Sequence, residues 1–317
     1  MKYGVFIQSN TKQITGALAS AFSIKYFSSH ADKFDVHIMR DEDIPILREK
    51  HGQKYLRGGR WHTWHYDFLQ SFTPTRFQPP ALMQYQGRSV VVDPDVFFLT
   101  DVWELLSRDM EGKAILARPV PGEDGQQAWA TSVMLLDNAK LKHWDVPRQF
   151  AEMFEGKRDY ERWITLGYED PQTIGALEDE WNSFDCLTSK TKALHNTFRR
   201  TQPWKAGLPI DFNSNNRLFG LRFTKPFVKI CRKFFGEDVL RERYRRHPDP
   251  NQENFFLALV REMLEQQVIT EQFLQKEMEQ NHIRHDILEA VRKAPSISEV
   301  IDAIRHHHSK SESPTEN

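Results

Sequence analysis

The run Arg88-Ser-Val-Val-Val-Asp93-Pro94-Asp95-Val-Phe-Phe-Leu99 constrains the fold of this chain more than any other segment. An apolar run interrupted only by two carboxylates and a proline reads as a deeply buried strand that ends at the acids and resumes after them. In extended chain Asp93 and Asp95 project to the same side, about 7 Å apart. Pro94 favours that geometry, because it keeps Asp93 out of the helical region and fixes its own φ. Two carboxylates at the end of a buried strand are costly, and stand uncompensated, unless positive charge sits between them. A hard divalent cation, Mn²⁺ or Mg²⁺, itself holding a diphosphate, would satisfy both. The acid pair therefore predicts a metal–nucleotide site.

Asp-x-Asp is a short pattern, and roughly one copy arises by chance in a chain of this size. A second copy, Asp41-Glu42-Asp43, follows a strand-like segment and precedes Pro45 and further polar residues, and reads as a solvated loop or cap. The apolar residues on both sides of 93–95 set that copy apart.

The opening of the chain supplies the surrounding fold. Residues 3–8 read as a buried strand. Residues 14–27 carry Ile14, Leu18, Ala21, Phe22 and Tyr26 at helical spacing, and 34–39 read as a second strand. Strand–helix–strand argues an α/β fold with a mainly parallel sheet flanked by helices. In such sheets ligands bind beyond the carboxyl ends of the strands, which puts Gln8, Ser9 and Asn10 on one rim with Asp93 and Asp95. Residues 41–75, rich in His, Arg and Trp, read as irregular. Asp101-Val-Trp-Glu104 fits a capping box that opens a helix over 102–106. Further strands are expected at 114–117, 131–136 and 192–197, with a helix near 146–154. From about 236 the pattern is helical, with Phe255, Phe256, Leu259, Met263 and Val268 as apolar stripes expected to pack on the sheet domain. The domain organisation predicted is 1–210 catalytic, 211–305 a helical C-terminal extension, and 306–317 a disordered tail.

With 317 residues the chain has room for one large domain plus such an extension. Lys plus Arg is 43 and Asp plus Glu 44, so no global charge recommends nucleic acid as a partner. Cys186 and Cys231 lack paired spacing, which argues against a disulfide framework or a Cys-based zinc site and makes a reducing compartment the default. The N-terminus lacks a long apolar h-region, and no run of about 18 apolar residues occurs, so neither a signal peptide nor a membrane span is expected and the protein reads as cytoplasmic. Residues 222–247 combine Arg222, Lys225, Lys229, Arg232, Lys233, Arg241, Arg243, Arg245 and Arg246 with Phe223, Phe227, Phe234 and Phe235. They read either as a core-packed helix with a solvated basic face or as a peripheral membrane contact.

Several motifs in order resemble the nucleotide-sugar-dependent glycosyltransferases of the GT-A fold, especially family 8, the glycogenin and bacterial lipopolysaccharide galactosyltransferase type. They are Arg76-Phe-Gln-Pro79, Arg88, Asp93-Pro-Asp95, Asp101-Val-Trp-Glu104-Leu105, Thr131-Ser132-Val133-Met134, Trp181-Asn182, and His195 ahead of Gln202-Pro203-Trp204. They span residues 3–205. The chain departs from the family where Ala130-Thr131-Ser132 replaces Asn-Ser-Gly, and where the Lys of the His-to-Trp motif is absent.

The resemblance implies a GT-A (Rossmann-like) mixed sheet and a nucleotide-sugar donor, a UDP-sugar before others. It implies transfer with retention to a glycan or lipid-linked acceptor. It makes Asp93, Asp95 and His195 the metal ligands, with Mn²⁺ favoured over Mg²⁺ by the imidazole. Gln8, Ser9 and Asn10 would face the nucleoside, and Arg76 and Arg88 would meet phosphate or pin the acidic strand. Arg199, Arg200 or Lys205 would replace the missing Lys on the diphosphate. Glu169, Asp170 and Gln172 would attend the anomeric carbon as catalytic residues. Two other readings remain. A sugar-1-phosphate nucleotidyltransferase normally opens with a Gly-rich loop, which Gln8-Ser-Asn-Thr-Lys12 is not, and a degenerate transferase domain could serve as a binding or scaffold module.

Overall fold

The computed structural model describes residues 2–68, 70–122, 127–211, 217–218, 221–222 and 242–311. The chain divides into two compact units, 1–186 with 190–195, and 187–189 with 196–317.

The first unit is built on a mixed six-stranded sheet. Its strands are β1 (Tyr3–Ser9), β2 (Asp35–Arg40), β5 (Arg88–Val92), β7 (Ile115–Pro121), β8 (Gln127–Asp137) and β9 (Ile174–Ala176). The order is β2-β1-β5-β8-β7-β9. β1 pairs in parallel with β2 and β5, and β7 with β9, while β8 runs antiparallel to both neighbours. The mixed, mainly parallel α/β sheet expected from the opening of the chain is the one observed. Both faces are covered. Val90 and Val92 of β5 join Val5, Ile7, Ala17 and Ile24 on the side of helix α1 (Ile14–Tyr26), whereas Val91 joins Met134, Leu136, Trp144 and Phe150 on the other. Burial on both faces is why β5 reads as unbroken valine rather than as alternation.

Residues 41–75 are more ordered than their sequence suggests. They hold α2 (Pro45–Glu49) and a hairpin of β3 (Lys54–Arg57) with β4 (Arg60–Thr63). Gly58 and Gly59, at φ +55° and +69°, form the two-residue turn, which requires positive φ at both positions. After β5 the chain leaves the main sheet as β6 (Val96–Phe98). β6 pairs antiparallel with β11 (Ala193–His195), which pairs in parallel with β10 (Ser183–Phe184).

The second unit, taken by itself, is mainly helical: α7 (Pro250–Glu265), α8 (Glu271–Glu279), α9 (Ile287–Lys293) and α10 (Ile297–Ser311), counting α3 (Pro79–Leu82), α4 (Trp103–Leu106), α5 (Val146–Phe154) and α6 (Tyr160–Ile164) in the first. Phe255, Phe256, Leu259 and Met263 of α7 are buried, with the Trp204 ring 5.4 Å from that of Phe256 and α9 and α10 packed alongside. Val268 breaks from that stripe and is 51% exposed, because the helix has ended and Gln267 turns the chain at φ +58°. α10 continues through Ser311, into the stretch expected to be disordered from 306.

Candidate functional site

The acid pair does not lie on one extended strand. β5 ends at Val92, and the Val96 amide donates back to the Asp93 carbonyl at 3.2 Å, closing a tight turn over Pro94 and Asp95. Proline suits the second position of such a turn, since its fixed φ matches. The turn gathers the carboxylates instead of spacing them. With His195 they offer three ligand atoms that all lie within 4.8 Å of one another. His195 arrives through sheet register: on β11 it pairs with Val96, the residue after Asp95.

The acids are compensated by side chains of the protein itself, contrary to the expectation from sequence. Arg76 grips Asp93 with both arms of its fork, Nε to Oδ1 at 3.0 Å and Nη2 to Oδ2 at 2.5 Å, while its Nη1 donates to Thr131 Oγ1 at 2.8 Å. Gln8 Nε2 also donates to Asp93 Oδ1, and Thr75 Oγ1 in turn donates to Gln8 Oε1 at 3.4 Å. Burial pushes the Asp93 pKa up and the Asp95 charge adds to the rise, while Arg76 and His195 pull it back.

His195 Nε2 faces Asp95 Oδ1 at 3.3 Å. Burial works against a charged imidazole here, but Asp95, and more distantly Asp93, outweigh it and hold the His195 pKa above its ordinary value. On its other side, Nδ1 contacts Asn182 Oδ1 at 2.9 Å, and Asn182 Nδ2 donates to Ser132 Oγ at 2.9 Å. Two carboxylates and an imidazole suit Mn²⁺ and related divalent ions. The residues therefore fit a metal, whose binding would displace a proton from His195.

The structure distributes the other expected site residues unevenly. Gln8 reaches the cluster, but as a support for Asp93. Asn10 caps the following turn, accepting from the Lys12 and Gln13 amides at 3.1 Å each, and the buried Ser9 hydroxyl donates to the Asn10 carbonyl at 3.0 Å. Arg88 is at the opposite end of β5, where it donates to the Arg108 and Leu106 carbonyls, so it pins a loop and meets no phosphate at the acid pair.

Glu169, Asp170 and Gln172 are not brought to the acids. They precede β9, whose Ile174 lines up through Ile115 and Leu136 with Ser89. That rung is four residues before Asp93, about 13 Å down the strand. There Glu169 accepts from Trp144 Nε1 at 2.9 Å and contacts His143 Nε2 at 2.8 Å, Asp170 accepts from the Gln172 amide at 2.9 Å, and the Gln172 carbonyl accepts from Lys113 at 2.8 Å. All three serve local structure at the far end of the sheet.

Asp101 acts as a cap, accepting from the Trp103 amide at 2.9 Å, but Glu104 does not complete the box and instead meets Lys192 at 2.7 Å. Asp41 of the second acid pattern is buried against Ser71, not solvated. Arg199, Arg200 and Lys205 belong to the second unit, where Arg200 pairs with Glu242 at 2.7 Å and the buried Lys205 with Asp211 at 3.0 Å. Of the basic stretch 222–247, residues 223–241 lie outside the described residues.

Sequence reasoning missed the supports. Asn182 was visible only as part of a Trp-Asn motif, and nothing in the sequence ties Gln8 to Asp93. A second group of possible ligands, His51, His65 and Asp67, comes together on the open end of the β3–β4 hairpin. It fits a metal less well: His51 Nδ1 accepts from the Tyr66 amide at 3.1 Å, which leaves the other ring nitrogen protonated.

No protein-family model and no curated protein matches this chain. Among solved structures it is similar to the glycosyltransferase GlyE of Streptococcus pneumoniae, at 15% identity and a TM-score of 0.46 over 68% of this chain; it spans 57% of that protein's length. It is also similar to the galactosyltransferase LgtC in complex with donor and acceptor sugar analogues, at 13% identity and a TM-score of 0.44, over 63% of this chain and 89% of that one. Mouse xyloside xylosyltransferase 1 follows at 12% identity and a TM-score of 0.41, over 62% and 98%. At these scores the residues of the site have to carry the functional reading themselves. Among the described residues, no helix is long and apolar enough to cross a membrane.

Proposed function

We propose that this chain is a metal-dependent glycosyltransferase that takes a sugar from a nucleotide-diphosphate sugar, UDP-sugars first, and passes it to a glycan or lipid-linked acceptor. One observation carries the reading: Asp93, Asp95 and His195 converge at the carboxyl rim of a mainly parallel sheet, within 4.8 Å of one another. That rim is where open α/β sheets bind their ligands. The motif resemblance over residues 3–205 supports the same reading and adds retention at the anomeric centre.

A bound Mn²⁺ would stabilise the charge that grows on the departing diphosphate. Asp95 and His195, whose Oδ1 and Nε2 lie 3.3 Å apart, would hold it. Asp93 would contribute through the one acceptor position, on Oδ2, that Arg76 and Gln8 leave unused, since a carboxylate accepts about four hydrogen bonds. Arg76 works against burial in favour of the Asp93 carboxylate and orients it, and Thr131 holds the third arm of Arg76.

Calorimetric titration of UDP with and without Mn²⁺, followed by hydrolysis assays on a panel of UDP-sugars, tests the proposal. UDP binding that requires Mn²⁺, and slow hydrolysis of one donor, are expected. Binding without turnover of any donor would point to a binding module. Turnover of a nucleoside triphosphate with a sugar 1-phosphate would point to a nucleotidyltransferase. Absence of Mn²⁺-dependent nucleotide binding would reject the metal site itself.

A further inference from the structure

We infer that Asn182 is a positioning residue that sets which nitrogen of His195 is offered to a cation, an inference that rests on the metal reading of the Asp93–Asp95–His195 cluster. The Asn182 side chain is fully buried; its Nδ2 donates to Ser132 Oγ at 2.9 Å, with Oδ1 farther from that hydroxyl at 3.4 Å. That orientation turns Oδ1, an acceptor only, toward His195 Nδ1 at 2.9 Å. An imidazole nitrogen facing an acceptor carries the proton; with Nδ1 committed to the amide oxygen, a cation that takes the Asp95 carboxylate displaces the proton from Nε2 and leaves Nδ1 as the donor. Nε2 is also the atom turned toward Asp95, at 3.3 Å. The orienting bond and the ligating atom are on opposite sides of one ring, the arrangement that metal-binding histidines use to fix tautomer and direction.

Asn182 is itself held. Arg118 follows the irregularity in the β7–β8 pairing between Ala117 and Arg118, and its Nη1 donates to the Asn182 carbonyl at 2.6 Å. The rest of the fork meets Asp179, with Nη2 to Oδ2 at 3.0 Å. The Arg118 guanidinium lies over the Phe184 ring at 4.2 Å, and the edge of that ring meets His195 at 5.4 Å and 75°. One arginine thus fixes both the residue that hydrogen-bonds the imidazole and the ring that packs against it. Neither contact touches the acid pair, so the device acts on the cluster only through His195.

Asn182→Leu keeps the number and branching of side-chain heavy atoms and removes the acceptor, whereas Asn182→Asp keeps the acceptor and brings a buried charge. Mn²⁺ affinity, read by electron paramagnetic resonance, and the thermal unfolding midpoint are measured for both and for the wild type. Long-range ¹⁵N–¹H correlation of the histidines in Zn²⁺-loaded protein reports the tautomer. The expected result is a dissociation constant raised about tenfold or more in Asn182→Leu, with loss of the His195 Nδ1–H signal. Asn182→Asp should keep that signal and near wild-type affinity even where its unfolding midpoint falls further. A residue that served the core alone would make affinity follow the unfolding midpoint in both variants, and that outcome overturns the inference. Wild-type affinity in Asn182→Leu overturns it too, while leaving the metal reading intact. No Mn²⁺ uptake by the wild type overturns both.

Discussion

Arg76 holds both oxygens of Asp93, at 3.0 and 2.5 Å, in a part of the site where neither side chain is more than 13% exposed. A buried, bidentate pair of this kind differs from a surface ion pair in what happens when one member is lost: the survivor stays buried and charged, or shifts its pKa to avoid it. Asp93 is therefore as much part of the scaffold as of the metal site, and Arg76 has the strand-pinning role that was one of the two expected for it.

Arg76→Met and Asp93→Ala should each lower stability by about 3–5 kcal/mol at neutral pH. The double variant should cost clearly less than the sum, because no unpaired charge remains. Urea unfolding of the four proteins in a double-mutant cycle measures the coupling, and additive costs would contradict the pairing as a structural unit.

Asp95 should behave in the opposite way. His195 Nε2 faces it at 3.3 Å, and that imidazole can give up its proton when the carboxylate goes. Asp95→Asn is expected to cost on the order of 1 kcal/mol in stability, within the ordinary range for a point variant. Mn²⁺ affinity should fall at least about tenfold, the lower end of what even an outer partner of a metal ligand costs. Unchanged Mn²⁺ affinity in a folded Asp95→Asn protein removes Asp95 from the ligand set.

The difference between these two aspartates shows what the sequence could and could not tell. The valine run, its position after a strand–helix–strand opening, and the acids at its end were all local patterns, so sheet class and rim were legible. The turn at Pro94 was not, because an isolated proline between acids suits extended backbone as well as a turn. Long-range partners were illegible for a different reason. Gln8 is 85 residues from Asp93 and Asn182 is 13 from His195. Only the fold brings them together, and a glutamine or an asparagine carries no spacing signal of its own. Glu169, Asp170 and Gln172 show the reverse case: their residue types match the chemistry, while β9 enters the sheet from the end away from the acids.

The basic residues of the second unit can be ranked by what their present partners would release. Arg200 meets Glu242 with half of its side chain exposed, so exchanging that partner for a phosphate costs little. Lys205 is buried beside Asp211, and freeing it would strand a carboxylate. Arg200→Gln is thus expected to weaken UDP binding about tenfold while leaving uridine binding unchanged, whereas Lys205→Met should appear mainly as lost stability. Paired titrations of UDP and uridine decide; equal effects on both ligands would remove Arg200 from the diphosphate.

Asp101 gives a pH test of the scaffold. Burial alone would raise its pKa, but Ser28 Oγ at 2.5 Å, His30 Nδ1 at 2.7 Å, the Trp103 amide at 2.9 Å and Ser29 outweigh it and bring the group from 3.8 down to about 2. These bonds tie the turn after α1 to the start of α4. A carboxyl whose pKa is depressed by folding stabilises the native state in full above its unfolded value, and the contribution disappears as pH falls through the folded value. The window is therefore 3.8 down to about 2. A shift of this size corresponds to about 2 kcal/mol at neutral pH. Asp101→Asn should be less stable than wild type by about that amount at pH 7, and the gap should close across the same window. Denaturant unfolding at pH 7, 4, 3 and 2 follows it, and a gap that stays constant down to pH 2 would mean that the carboxylate's charge contributes nothing to the clamp.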